Sequence, residues 1–118
     1  MTEQDVIDRA VLDGLLESVG GDLEFLAELL QTYFDDSPQL LTTLHTALDA
    51  GDAEAFRRAA HSLKSNSANF GAMALSRMSK ELEDMGKAGT LDGAGPKIVS
   101  LEQEYARVRA ALESVTAS

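Results

Sequence analysis

Apolar residues recur along the chain at intervals of three and four, the spacing of one face of an α-helix, and the stretches that carry this rhythm stop at glycines. Val11, Leu12, Leu15, Leu16 and Val19 form the first, which ends at Gly20 and Gly21. Asp22 is placed to cap the next helix, whose apolar positions are Phe25, Leu26, Leu29, Leu30, Tyr33 and Phe34. At Ser37-Pro38 two outcomes are open: a new helix with Pro in its first turn, or a kink in one long helix. Leu41, Leu44 and Leu48 continue the stripe to Gly51, after which Asp52 reads as a cap. Phe56, Ala59, Leu63 and Phe70 mark a helix ending at Gly71, and Leu75, Met78, Leu82 and Met85 one ending around Gly86 to Gly89. The loop TLDGAG leads to Pro96, which is expected to open a last helix marked by Ile98, Leu101, Tyr105, Val108, Leu112 and Val115.

No stretch alternates with a period of two, and β-branched and aromatic residues are scarce. The connections between helices are short, which makes sequential helices antiparallel neighbours. The pattern predicts an all-α fold: an up-and-down four-helix bundle with a short additional N-terminal helix, in one domain over residues 1–118. No internal repeat, low-complexity tract or interdomain linker interrupts it.

Composition narrows the function classes. Ten Lys and Arg against twenty Asp and Glu give 118 residues a net charge of -10. Phosphate backbones and anionic membrane surfaces call for the opposite sign, so neither nucleic acid nor membrane is expected as a partner. With no Cys there are no disulfides, thiolate nucleophiles or thiolate metal sites. The opening residues MTEQDVIDRA do not form a signal peptide, and no apolar run approaches the roughly 20 residues of a membrane span. A soluble cytoplasmic protein, monomeric by default, is the expectation. Met1 and the short tail TAS suggest a freestanding chain.

The distribution of charge is more informative than its total. Residues 1–36 carry a net -9, residues 37–56 a net -3 and residues 81–118 a net -3, whereas residues 57–80 carry a net +5. That basic segment holds Arg57, Arg58, Lys64, Arg77 and Lys80, no acid, and one of the two histidines, His61. At about 100° per residue, His61 falls almost opposite the arc of Phe56, Ala59, Leu63 and Phe70. Its helical neighbours are Arg57, Arg58, Lys64, Ser65 and Ala68. An accessible imidazole among cations and small side chains leaves room for another molecule. His45 adjoins the Leu41, Leu44, Leu48 stripe, has Asp49 four residues on and lacks nearby cations, which points to a structural role.

A neutral imidazole, with a reference pKa of about 6.5, is a nitrogen nucleophile at neutral pH. No base, triad partner or second metal ligand lies within sequence reach of His61, and there is no H-E-x-x-H pair, phosphate-cradling Gly-rich loop or Walker motif. An acid–base or metal enzyme is disfavoured because the acids lie outside the segment. What a lone exposed histidine with a lysine at i+3 can do is receive a phosphoryl group, with the ammonium offsetting charge on the oxygens.

The segment AHSLKSNSANFGA, residues 60–72, resembles the signature of histidine-containing phosphotransfer (HPt) domains, roughly H-x-L-K-G-[SA]-[SA]-x-x-[LIF]-G. His61 matches the phospho-accepting histidine, Leu63 the core leucine and Lys64 the lysine beside the phosphoryl group. Ser67, Phe70 and Gly71 match the small, apolar and helix-ending positions. Residues 20–52, GGDLEFLAELLQTYFDDSPQLLTTLHTALDAGD, resemble the helical segment that precedes the histidine helix in this family. Ser65 departs from the usual Gly, and Asn66 from a usual Ser or Ala.

The resemblance implies a phosphocarrier rather than an enzyme. His61 would accept a phosphoryl group from the aspartyl phosphate of a receiver domain, in a hybrid sensor histidine kinase or response regulator, and pass it to a second receiver. Lys64 would stabilise the transferred charge. Arg57 and Arg58 would dock or screen the partner, and Ser65 and Ala68 would leave room for it. Mg²⁺ would sit on the receiver, so no cofactor or metal is expected on this chain. The competing expectation is a helical adaptor that binds a signalling partner without carrying phosphate.

Overall fold

The computed structural model of the chain describes residues 6–117. Within them lie five α-helices and no strand: α1 (Arg9–Ser18), α2 (Leu23–Ala50), α3 (Ala53–Asn69), α4 (Met73–Ala88) and α5 (Ala94–Ala117). Three helix starts are fixed by aspartates. The side chains of Asp8, Asp22 and Asp52 accept hydrogen bonds from the backbone N–H groups of Ala10, Phe25 and Ala55 at 3.0, 3.1 and 3.0 Å, satisfying donors that have no partner inside the helix. Gly51 and Gly89 end α2 and α4 in the left-handed conformation, with φ of 67° and 72°.

Each long helix packs against its neighbours in the chain, and α5 returns to α2. The most extensive of these contacts joins α3 to α4. Leu26, Leu44, Phe56, Leu63, Leu75 and Leu101 are fully buried where the long helices meet, and their removal from water supplies the main driving force for assembly. Tyr33 on α2 reaches Ser67 on α3 through a buried hydroxyl–hydroxyl hydrogen bond of 2.9 Å. The small motif position Ser67 therefore also ties two helices together.

Four local features depart from the periodicity or resolve it. Ser37-Pro38 begins no new helix, because α2 runs through Pro38 without a break. Pro removes one helical hydrogen bond at a cost of about 3 kcal/mol. The buried residues on both sides of it, Leu30 and Tyr33 before, Leu41 and Leu44 after, hold both halves against one core. Ser37 caps nothing; its hydroxyl donates to the Tyr33 carbonyl at 2.7 Å. Pro96 does not open α5, which starts two residues earlier at Ala94; it still lies in the first turn, where its missing N–H is not needed. Gly86 stands inside the last turn of α4 instead of beyond it. Phe25 is 45% exposed, because the core face of α2 follows Leu26, Leu30 and Tyr33 and leaves Phe25 about 100° to one side.

Candidate functional site

His61 lies in the middle of α3, which Asp52 starts and the turn at residues 70–72 ends. Its side chain is 54% exposed, as expected for a position across the helix from Phe56 and Leu63. Its setting differs from that expectation in one respect. α4 runs back along α3 and brings Glu83 beneath the ring, with Glu83 Oε2 2.6 Å from His61 Nδ1. His61 therefore stands at the rim of the α3–α4 seam and has an acid partner, although none is within its own segment of sequence.

Glu83 is only 2% exposed, and an isolated carboxylate so buried would be costly. Its charge is met on both oxygens. Lys64 Nζ donates to Oε1 at 2.6 Å, His61 contacts Oε2, and Lys87 Nζ approaches Oε2 at 4.0 Å. The hydrogen bond from Lys64, followed by the one from His61, outweighs desolvation and holds the carboxyl at about 2, below the ordinary 4.5. An ionised carboxylate only accepts, so the short contact with Nδ1 places the ring proton there. In the neutral ring the lone pair is then on Nε2, which makes the exposed side of the imidazole the nucleophilic one.

Lys64 is thus not an unattached surface cation. Its side chain is 28% exposed and bound to the buried carboxylate, so it can turn a proton toward an incoming anion only by sharing itself with Glu83. Arg57 is turned away as well: its guanidinium forms a two-pronged pair with Glu54 one turn earlier, with Nε at 3.0 Å. Arg58 and Ser65 are exposed and Ala68 half-buried, which leaves open surface on the His61 side of α3. Gly71 is buried in the turn after α3 with φ of 81°, and its carbonyl accepts a 2.8 Å hydrogen bond from the Asp8 N–H. Among the described residues, no three His, Asp or Glu side chains are grouped to hold a metal ion, and no helix is long and apolar enough to cross a membrane.

His45 serves a different purpose. It pairs with Glu102 across α2 and α5 at 3.1 Å, an interhelical contact with no lysine or arginine in it.

Glu83 is the functional residue that reading along the chain misses, since it lies 22 positions from His61. A signal for it exists. The turn at residues 70–72 folds α3 against α4 as an antiparallel pair, and His61 and Glu83 lie nearly equally far from it on either side. Reflecting the histidine through the turn therefore lands beside Glu83.

Comparison with known proteins agrees with this architecture. Residues 28–111 match the profile of the Hpt domain. Histidine-containing phosphotransfer protein B from Pseudomonas aeruginosa PAO1 has a similar structure, with a TM-score of 0.87, 38% identity and 95% of each chain covered. The HPT domain of a sensor hybrid histidine kinase from Shewanella shares the fold, with a TM-score of 0.71, 24% identity, 90% of this chain and 92% of that one. Multistep phosphorelay regulator 1 of Schizosaccharomyces pombe is 28% identical over 92 residues, which are 77% of this chain but 31% of that protein. The chain therefore spans about a third of the length of that curated relative. A motif around a half-exposed histidine, a helical frame shared nearly end to end and a profile match across most of the sequence lead to one conclusion: the chain belongs to the Hpt domain family.

Proposed function

We propose that this chain is a phosphorelay carrier that accepts a phosphoryl group on His61 Nε2 from the aspartyl phosphate of a receiver domain and yields it to another receiver. The observation that carries the reading is the shared carboxylate, with Glu83 bound at once to His61 Nδ1 and Lys64 Nζ. The family membership and the similarity to a phosphotransfer protein over 95% of the chain support it.

The step balances on this chain's own atoms. The Nε2 lone pair forms the N–P bond as the P–O bond to the donor aspartate breaks, and the electron pair of that bond leaves with the aspartate carboxylate. The ring keeps its Nδ1 proton and acquires positive charge, which the Glu83 carboxylate offsets, as the buried aspartate of a Ser-His-Asp triad does for its imidazole. Lys64, adjacent to the ring, compensates the phosphoryl oxygens. Return of the group to a receiver reverses each movement. In this reading the acids and Mg²⁺ that activate the aspartate belong to the receiver, Arg58, Ser65 and Ala68 face it, and an up-and-down arrangement of the four long helices presents the site. The carrier is modified in each cycle and does not turn over alone, so it is not an enzyme.

The test is to incubate the chain with a phosphorylated receiver and follow the label. Acid-labile, alkali-stable phosphate is expected on the wild type and on His45→Gln, and none on His61→Gln. Label that survives in His61→Gln, or signalling that persists in that variant as it would through a phosphate-free adaptor, overturns the reading.

A further inference from the structure

α3 and α4 approach each other at Gly86 more closely than a side chain would permit. A Cβ placed on Gly86 would lie 2.8 Å from the Arg57 Cβ and 2.9 Å from both its Cα and its backbone N. Carbon atoms in contact settle at about 3.5–4.0 Å, and the backbone of α3 cannot rotate out of the way. Gly86 is in ordinary right-handed helix, since its φ is not among the positive values. The position requires space, not an unusual backbone angle.

The same seam is tight further along. The Ser76 hydroxyl of α4 donates to the backbone carbonyl of Lys64 in α3 at 3.0 Å. His61 and Glu83 lie between these two close approaches, and Lys64 stands at the second of them. Glutamate is short, and the paired 2.6 Å contacts of its carboxylate depend on how near α4 stands to α3.

We infer that Gly86 is a positioning residue for His61: its missing side chain lets α4 rest on the Arg57 backbone, at the separation where one Glu83 carboxylate reaches both His61 Nδ1 and Lys64 Nζ. As it bears on transfer, this rests on the carrier reading above; as it bears on the imidazole, it does not, because the ring tautomer can be measured with no phosphoryl donor present. An alanine at this position must move α4 away by roughly 1 Å to regain ordinary contact distance, enough to break a short hydrogen bond.

The experiment uses the full chain with Gly86→Ala, Glu83→Ala as the uncoupled reference, because it removes the acceptor altogether, and Gly14→Ala as the control, because a Cβ on Gly14 meets nothing within 4 Å. Ring ¹⁵N shifts of His61 report the tautomer, and label transfer from a phosphorylated receiver reports the rate. At a pH where the ring is neutral, the wild type and Gly14→Ala are expected to hold the proton on Nδ1 alone. Gly86→Ala is expected to show mixed tautomers, to take up label at least tenfold more slowly, and to cause no further loss when added to Glu83→Ala. A Gly86→Ala chain that melts early but keeps the wild-type tautomer and uptake rate overturns the proposal, leaving glycine a packing role only. If Gly86→Ala does not fold, Ser76→Thr adds one methyl to the same seam; a smaller shift toward mixed tautomers supports the proposal, and an unchanged ring overturns it. A wild type that takes up no label while the tautomers behave as stated defeats the carrier reading and leaves the role of Gly86 standing.

Discussion

Glu83 supports His61 from inside the protein: the carboxylate is 2% exposed, the imidazole 54%, and 2.6 Å separates Oε2 from Nδ1. The buried acid fixes the inward nitrogen as a donor and, in the neutral ring, puts the lone pair on the outward one.

Replacing Glu83 by Gln keeps the shape of the side chain and removes its charge. A hydrogen bond to a charged group contributes about 1.5–3 kcal/mol, and each 1.36 kcal/mol in a barrier is about tenfold in rate. Phosphoryl uptake by Glu83→Gln should therefore slow by roughly 10- to 100-fold, measured as label transferred per second from one receiver. Uptake at the wild-type rate would show that Nε2 needs no help from the acid.

Lys64→Ala should cost both rate and stability. It removes the principal partner of a buried carboxylate, and a stranded buried group costs about 1–3 kcal/mol, more when charged. The variant should unfold at lower denaturant than the wild type, and adding Glu83→Gln should recover part of the loss. A double-mutant cycle on denaturation midpoints measures that coupling. Additive losses would mean that the two side chains do not interact in solution.

The same carboxylate sets an acid limb of stability. Its folded-state pKa of about 2 lies below the ordinary 4.5, so its contribution is fully present above about 4.5 and is lost as pH falls toward 2. A depression of that size corresponds to roughly 3 kcal/mol. Urea unfolding between pH 7 and pH 2 should show a decline over that window that is distinctly shallower in Glu83→Gln. Parallel declines in both proteins would place the acid sensitivity elsewhere.

Gly71 and Gly14 should respond oppositely to alanine. Gly71 has φ of 81° and a Cβ there would meet the Asp8 carbonyl oxygen at 2.6 Å, so Gly71→Ala combines left-handed strain of about 1–2 kcal/mol with a clash against backbone. Gly14 is inside α1 with nothing near it, and alanine there should stabilise by about 0.5–1 kcal/mol. Thermal melting of the two variants checks both signs at once.

The helices were largely legible along the chain because their ends are local chemistry. Asp22 and Asp52 bind N–H groups three residues on, and Gly51 and Gly89 adopt the left-handed turn that stops a helix. The exposed side of His61 followed from the position of Phe56 and Leu63 one helix face away. Pro38 was ambiguous because the packing that carries α2 through it comes from other helices. The depth of Lys64 and the presence of Glu83 were hidden for the same reason, as both depend on α4 lying against α3. Gly86 resembled a helix end to any one-dimensional reading, since only the opposite backbone shows what its hydrogen side chain is for.

The most direct measurement is the chemical bond itself. With the chain labelled with ¹⁵N and phosphorylated by a receiver, a phosphorus–nitrogen correlation spectrum should couple ³¹P to Nε2 of His61 while Nδ1 retains its proton. Coupling to Nδ1, phosphorus on His45, or no phosphorus–nitrogen coupling at all would contradict the account.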